Sequence, residues 1–270
     1  MSNREFTEQA RKYFLRGIGV PKEQTFVADD FQMEAINHIK AGFDTLVVAP
    51  TGSGKTFIAF SAIAEYLANG GRAVYTTPLK ALSNTKYTEL KKRFEPQYKV
   101  GLLTGDRKIE GDADVVIATT EIYRNELYRE NQRSSLVVLD EVHFIADPQR
   151  GAVWEESIIL APKSSIFLML SASISNAEEI AEWLFQVRGK ECKIVIKKER
   201  PVELRYGFIH PDLGVLPLSD HKGQVFNEVK KYYGSISLDS TGRRLRVDRG
   251  FRGYNGGRGK KGSRPPRGRR

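Results

Sequence analysis

APTGSGKT, residues 49–56, is the stretch on which the reading of this chain turns. It follows the apolar run 45–48 and precedes a helix-forming run over 57–68. A strand that empties into a glycine-rich turn and then a helix lines up backbone N–H groups with the positive end of the helix. Lys55 and Thr56 add a cation and a hydroxyl to that arrangement. Such a turn holds the phosphates of a nucleotide and their metal, so Thr51, Gly52, Ser53, Gly54, Lys55 and Thr56 are the candidate phosphate-binding residues. Ala49 stands where the general GxxxxGK[ST] pattern has a glycine, and the strand-turn-helix context carries the match.

Working outward, apolar positions at Phe6, Ala10, Tyr13, Phe14 and Ile18 predict a short amphipathic helix over 4–17, whose partner is not readable. In FVADDFQMEAINHIKAG, residues 26–42, Asp29 or Asp30 is placed to cap a helix that runs from Phe31 to near Gly42. Phe26 and Gln32 have the chemistry to hold adenine, an aromatic face for the purine and a carboxamide for its edge. A core Phe and a surface Gln is the alternative.

Downstream, strands are predicted at 73–77, 100–103, 114–118, 136–139, 166–170, 193–196 and 204–209, with helices near 79–94, 121–130, 175–186 and 224–232. Short apolar strands alternating with helices describe an α/β fold, a mostly parallel sheet covered on both faces. Ligands in such sheets gather at the carboxyl ends of the strands. Two further strand ends carry chemistry. LVVLDEVH, residues 136–143, delivers Asp140 and Glu141 beside the phosphate loop if the two strands are neighbours. One carboxylate there can hold Mg²⁺, together with the Thr56 hydroxyl, and the next can orient or deprotonate an attacking water. FLMLSAS, residues 167–173, ends in Ser171 and Ser173, hydroxyls suited to linking His143 to its neighbours.

The chain has 270 residues, one cysteine and no apolar run of membrane-spanning length, which predicts a soluble, cytoplasmic protein without an internal disulfide. Its net charge of +10 is confined to one end: twelve Lys/Arg against the single Asp248 fall in residues 243–270, leaving residues 1–242 at −1. That tail, rich in Gly, Arg and Pro with Phe251 and Tyr254 interspersed, has no apolar face to bury and is expected to be disordered. Its composition suits sequence-tolerant RNA binding, with a solvated linker as the alternative. The expected organisation is an N-terminal extension over 1–19, a nucleotide-binding domain over 20–210, a linker with a short helix over 211–242 and the basic tail over 243–270.

Taken in order, APTGSGKT, TTPLKALSNTKY (76–87), TGD (104–106), ATTEIYRNEL (118–127), LDEVHFIADPQRGAVWEE (139–156) and SASISNAEEIAEWL (171–184) resemble the first RecA-like domain of superfamily 2 helicases. PLKALSNTKY and ADPQRGAVWEE are more narrowly similar to the DExH-box RNA helicases of the superkiller and exosome-cofactor branch. The resemblance covers roughly residues 20–230 and implies ATP and Mg²⁺ as cofactors, with Phe26 and Gln32 reading adenine. It implies catalytic roles for Lys55, Asp140 and Glu141, metal contacts at Thr56 and Asp140, and coupling through His143, Ser171 and Ser173. It also implies that Pro78, Lys80, Ala81, Thr104, Gly105, Asp106, Thr119, Thr120 and Arg124 touch a nucleic-acid strand, the partner being RNA that is single-stranded or a duplex with an overhang. Loops and helix N-termini on one sheet edge can track a phosphate backbone in this way without reading bases. The resemblance further implies a second RecA-like domain bearing arginines of QxxGRxGR type, and no such segment is found in these residues. A monomer that hydrolyses ATP slowly alone, or that receives this domain in trans, is the expectation. A nucleic-acid-binding accessory protein acting through its tail, and a DNA-directed ATPase of the same superfamily, are the competing readings.

Overall fold

A computed structural model describes residues 3–16, 27–129, 134–202, 204–220, 222–234, 236–238 and 244–246. Two compact units divide the chain: Glu23–Glu203 form one, Met1–Lys22 and Leu204–Arg270 the other. The elements in chain order are α1 (Asn3–Leu15), α2 (Asp30–Lys40), β1 (Asp44–Val48), α3 (Lys55–Ala68), β2 (Ala73–Thr77), α4 (Lys80–Phe94), β3 (Val100–Thr104), β4 (Arg107–Ile109) and β5 (Val115–Thr119). There follow α5 (Thr120–Leu127), β6 (Leu136–Leu139), a 3-10 turn (Val142–Ala146), α6 (Gly151–Leu160), β7 (Ile166–Ser171), α7 (Ala177–Arg188) and β8 (Cys192–Ile196). The second unit adds β9 (Gly207–His210), β10 (Gly214–Pro217), α8 (Asn227–Gly234), β11 (Ile236–Leu238) and β12 (Arg244–Arg246).

In the larger unit the eight strands run in the order β4-β3-β5-β2-β6-β7-β1-β8, parallel except for β4 at the edge. Successive side chains of a strand point to opposite faces, so each continuous apolar strand feeds two cores. Val47, Tyr75, Ile117, Val138 and Leu168 pack under α2, α3 and α4. Leu46, Val74, Val116, Val137, Leu139, Phe167 and Met169 pack with Tyr123, Trp154, Ile158 and Leu184 from α5, α6 and α7. This is the α/β architecture predicted.

Four details differ from the sequence expectations. The strands β1 and β6 are not neighbours, because β7 lies between them. The helix α6 is not among the predicted elements; its sequence GAVWEESIIL opens on glycine and holds three β-branched residues, so intrinsic propensity is low, and burial of Trp154, Ser157 and Ile158 decides its conformation. The edge strand β4 is polar and partly exposed and carries no apolar signal. The strand predicted at 204–209 is β9, shifted to Gly207–His210 and paired antiparallel with β10 rather than lying in the wound sheet.

Within the smaller unit, α1 packs on the β9-β10 hairpin, with Phe6 stacked on Phe226 at 6.2 Å and Arg205 donating to the Phe14 and Arg16 carbonyls. Phe208, Tyr232 and Tyr233 cluster with ring centroids 5.3–5.7 Å apart. β11, in the expected linker, and β12, at the start of the tail for which composition predicts no order, pair as a short antiparallel ladder; residues 243 and 247–270 of that tail lie outside the described residues.

Candidate nucleotide-binding site and its nucleic-acid face

The phosphate loop leaves β1 and enters α3 at Lys55, with Gly54 as the N-cap. Gly52 (φ 86°) and Gly54 (φ 83°) take the left-handed conformation on either side of Ser53, the alternation that gathers successive N–H groups into an anion-binding concavity. A β-carbon on Gly54 would stand 2.3 Å from the Gln32 amide nitrogen, and the left-handed φ strains any residue that carries one. That contact explains the burial of Gln32: its Nε2 donates to the Ser53 carbonyl at 2.9 Å, and its Oε1 accepts from the Asp29 N–H at 2.9 Å. One carboxamide thus ties the start of α2 to the phosphate loop and keeps hydrogen-bonding capacity on both atoms. Phe26, its expected companion, lies outside the described residues. Ser53 Oγ donates to the Pro50 carbonyl at 2.7 Å, and Lys55 Nζ donates to the carbonyls of Ala49 at 2.6 Å and Pro50 at 3.2 Å.

Asp140 and Glu141 stand at the end of β6. The Asp140 carboxylate accepts from Tyr75 Oη at 2.7 Å and from the Glu141 N–H at 3.0 Å. Burial raises its pKa, opposed by Tyr75, by the ammonium of Lys86, by the Glu141 amide and by Lys55. Glu141 is raised by burial and then by the charge of Asp140, opposed by His143 and Lys55. Burial lowers Lys55, opposed by Glu141 and then Asp140. Lysine and acidic pair therefore influence one another although β7, which ends at Ser171, separates their strands. Glu141 itself adopts φ 55°, a conformation that side-chain-bearing residues rarely take and that clusters at functional sites. Its Oε2 lies 3.3 Å from His143 Nδ1 without hydrogen-bond alignment, and both atoms are buried without a hydrogen-bond partner.

These features fit a metal-bound triphosphate: a backbone cradle built on two left-handed glycines, a cation beside it, a hydroxyl at Thr56 and an orphaned buried carboxylate oxygen. Ser171 Oγ accepts from the Ser173 N–H at 3.2 Å, the Ser171 carbonyl accepts from the Ala49 N–H at 3.0 Å, and Ser173 and His143 line a common recess.

The remaining predicted residues fall at the carboxyl ends of three adjacent strands, β3, β5 and β2. Pro78, Lys80 and Ala81 follow β2, Thr104, Gly105 and Asp106 close β3, and Thr119 and Thr120 join β5 to α5, on which Arg124 lies. Lys80 pairs with Asp106, Thr104 Oγ1 donates to Asp106 at 3.0 Å, Thr120 Oγ1 donates to the Thr77 carbonyl at 3.2 Å, and Arg124 pairs with Glu156. Arg150, to which sequence reasoning gave no role, donates to the Pro78 carbonyl and to Glu121 while lying 5.1 Å from the Phe144 ring. Tyr75 and Lys86 are likewise new to the site. Tyr75 reads as an ordinary core residue in AVYTT, and a lysine in a charged helix gives no signal of its direction.

A family model for DEAD/DEAH box helicases matches residues 29–180, more than half of the chain. The chain belongs to the DEAD/DEAH box helicase family. Relatives of this helicase domain include the probable helicase HelY of Mycobacterium leprae, 49% identical over 185 residues, with 67% of this chain and 20% of that protein covered. The chloroplastic DExH-box ATP-dependent RNA helicase DExH15 of Arabidopsis thaliana is 42% identical over 232 residues, covering 83% of this chain and 20% of that one. The exosome RNA helicase MTR4 of Mus musculus is 41% identical over 193 residues, covering 70% and 18%. The helicase domain thus spans about a fifth of the length of these relatives. Among solved structures, the helicase MrfA bound to DNA superposes with a TM-score of 0.53 at 21% identity, over 73% of this chain and 30% of that one, a likeness of fold. No described helix is long and apolar enough to cross a membrane.

Proposed function

We propose that this chain is the ATP-binding motor domain of an RNA helicase, which binds ATP with Mg²⁺ and a single RNA strand. The observation that carries the reading is the phosphate loop between β1 and α3, in which Gly52 and Gly54 are left-handed and Lys55 opens the helix. In this reading Phe26 and Gln32 hold adenine, and Thr51, Gly52, Ser53, Gly54, Lys55 and Thr56 hold the phosphates. Thr56 and Asp140 would hold the Mg²⁺, which when bound would neutralise charge on the phosphates. Glu141, whose proton affinity is raised by burial, orients the attacking water and accepts its proton, while His143 lies close enough to steady the carboxylate. His143, Ser171 and Ser173 pass the state of the nucleotide to the loops at 78–81, 104–106 and 119–124. Relatives named as RNA helicases support RNA over DNA.

Lys55→Ala is expected to abolish nucleotide binding. Glu141→Gln is expected to keep nucleotide binding and lower turnover by about 10²–10⁴-fold, the usual contribution of a positioned base. Normal ATP affinity in the Lys55 variant, read by equilibrium titration, would refute the assignment.

The confinement of the net positive charge to residues 243–270 favours a second reading, in which the tail supplies the nucleic-acid affinity. Deleting those residues separates the two. RNA affinity vanishes if the tail alone binds; under the motor reading it only falls, and the logarithmic salt slope shrinks by about 0.7 for each lost phosphate contact. Running the same titration with DNA tests the choice of RNA.

A further inference from the structure

Lys86 lies on α4 with its side chain only 16% exposed, and its ammonium donates to the Thr56 hydroxyl at 3.3 Å and to Glu89 at 2.8 Å. The Phe60 ring, 5.9 Å from the ammonium, flanks it on the α3 side. The ammonium therefore engages directly the Thr56 hydroxyl, one of the two groups assigned above to the divalent cation. Two cations cannot share one hydroxyl without strong repulsion.

We propose that Lys86 is a built-in competitor for the divalent cation: its ammonium holds the Thr56 hydroxyl until the metal arrives, then keeps only its contact with Glu89. The inference rests on the proposed ATP site and adds its regulation. Glu89, three residues further along α4, is already in contact with the ammonium and is partly exposed, so withdrawal needs a change of side-chain torsion and no movement of the helix. The arrangement sets a threshold of metal concentration for loading the site.

The test is equilibrium binding of ATP to the full chain at a series of free Mg²⁺ concentrations, followed by a fluorescent ATP analogue and without reference to turnover. Lys86→Met keeps the apolar stem beside Phe60 and removes the competitor, so the half-saturating Mg²⁺ concentration should fall by about fivefold or more, the lower end of ordinary coupling between sites. Glu89→Gln takes away the resting place and should raise it. Opposite displacements from two neighbouring substitutions are not expected of a general loss of packing, and Glu89 is exposed enough to be replaced without harm to folding. An unchanged or raised Mg²⁺ requirement in Lys86→Met, or weaker ATP binding at saturating Mg²⁺, would overturn the proposal and mark Lys86 as a bystander or a phosphate ligand. An unmodified chain that binds no Mg²⁺–ATP at all would instead overturn the reading of the site.

Discussion

Glu141 carries three unfavourable features at once: a left-handed backbone, a buried carboxylate oxygen without a hydrogen-bond partner, and the charge of Asp140 beside it. Such features persist where function requires them. Their cost has a sign in pH. Both carboxyls have pKa values raised by burial, so the folded protein holds these protons to higher pH than the unfolded chain. Their contribution to stability is therefore most favourable below the ordinary carboxyl value and is lost as pH rises through the raised one. Glu141→Gln removes one charge and relieves the other. The nucleotide-free variant should melt at a higher temperature than the unmodified protein near pH 8, and the gap should close as pH falls towards the ordinary Glu value of 4.5. Thermal unfolding of both proteins across that range checks it; a gap independent of pH would show that torsional strain, not charge, is what Gln relieves. At this scale the sequence is legible where a residue type and its strand-end position coincide, as at Lys55, Asp140 and Glu141. It is silent on Tyr75 and Lys86, because their roles depend on which strands and helices become neighbours.

The strand β1 carries the phosphate loop at one end and, at the other, Asp44, whose side chain is fully buried. Asp44 accepts from Arg188 Nε and from the Phe167 N–H, each at 2.8 Å; Arg188 in turn donates to the Ser165 carbonyl at 2.7 Å and covers the Phe167 ring at 4.2 Å. This cluster fastens the end of α7 to the starts of β1 and β7, the strands whose opposite ends form the site. Breaking a buried pair leaves the partner charged and uncompensated, so Arg188→Met should cost about 3–5 kcal/mol, and Asp44→Asn with Arg188→Met together less than the sum of the two singles. Urea unfolding of the four proteins measures the cycle, and strict additivity would mean the pair is not coupled. Neither partner stands out in the sequence: Asp44 reads as the polar residue before a strand and Arg188 as a basic residue at a helix end. Elements with one strong signal, such as β1, β6 and α3, are legible. Elements such as α6 and β4, which exist because of their neighbours, are not.

On the scale of the whole molecule, everything that makes the sheet is contained in one unit. Both apolar clusters draw their buried members from between Phe31 and Val195, and the eight-stranded sheet closes at β8. The order of the strands is what the linear chain hides: alternation of strands and helices announces a wound sheet, but only the folded protein inserts β7 between the phosphate loop and the acidic pair. It likewise moves the 204–209 segment out of the sheet into an antiparallel ribbon. A fragment of residues 23–203 therefore keeps every strand of the sheet, both faces of the core and the Asp44–Arg188 clasp. It should fold by itself, unfold in one cooperative transition, and bind ATP with the affinity of the full chain, because Gln32, Lys55, Thr56, Lys86, Asp140 and Glu141 all remain. Circular dichroism and nucleotide titration of the purified fragment decide the matter. A fragment with native helix content but no cooperative melt would mean that the flanking unit supplies part of the core's stability; a cooperative fragment that no longer binds ATP would mean that a residue outside 23–203 completes the site.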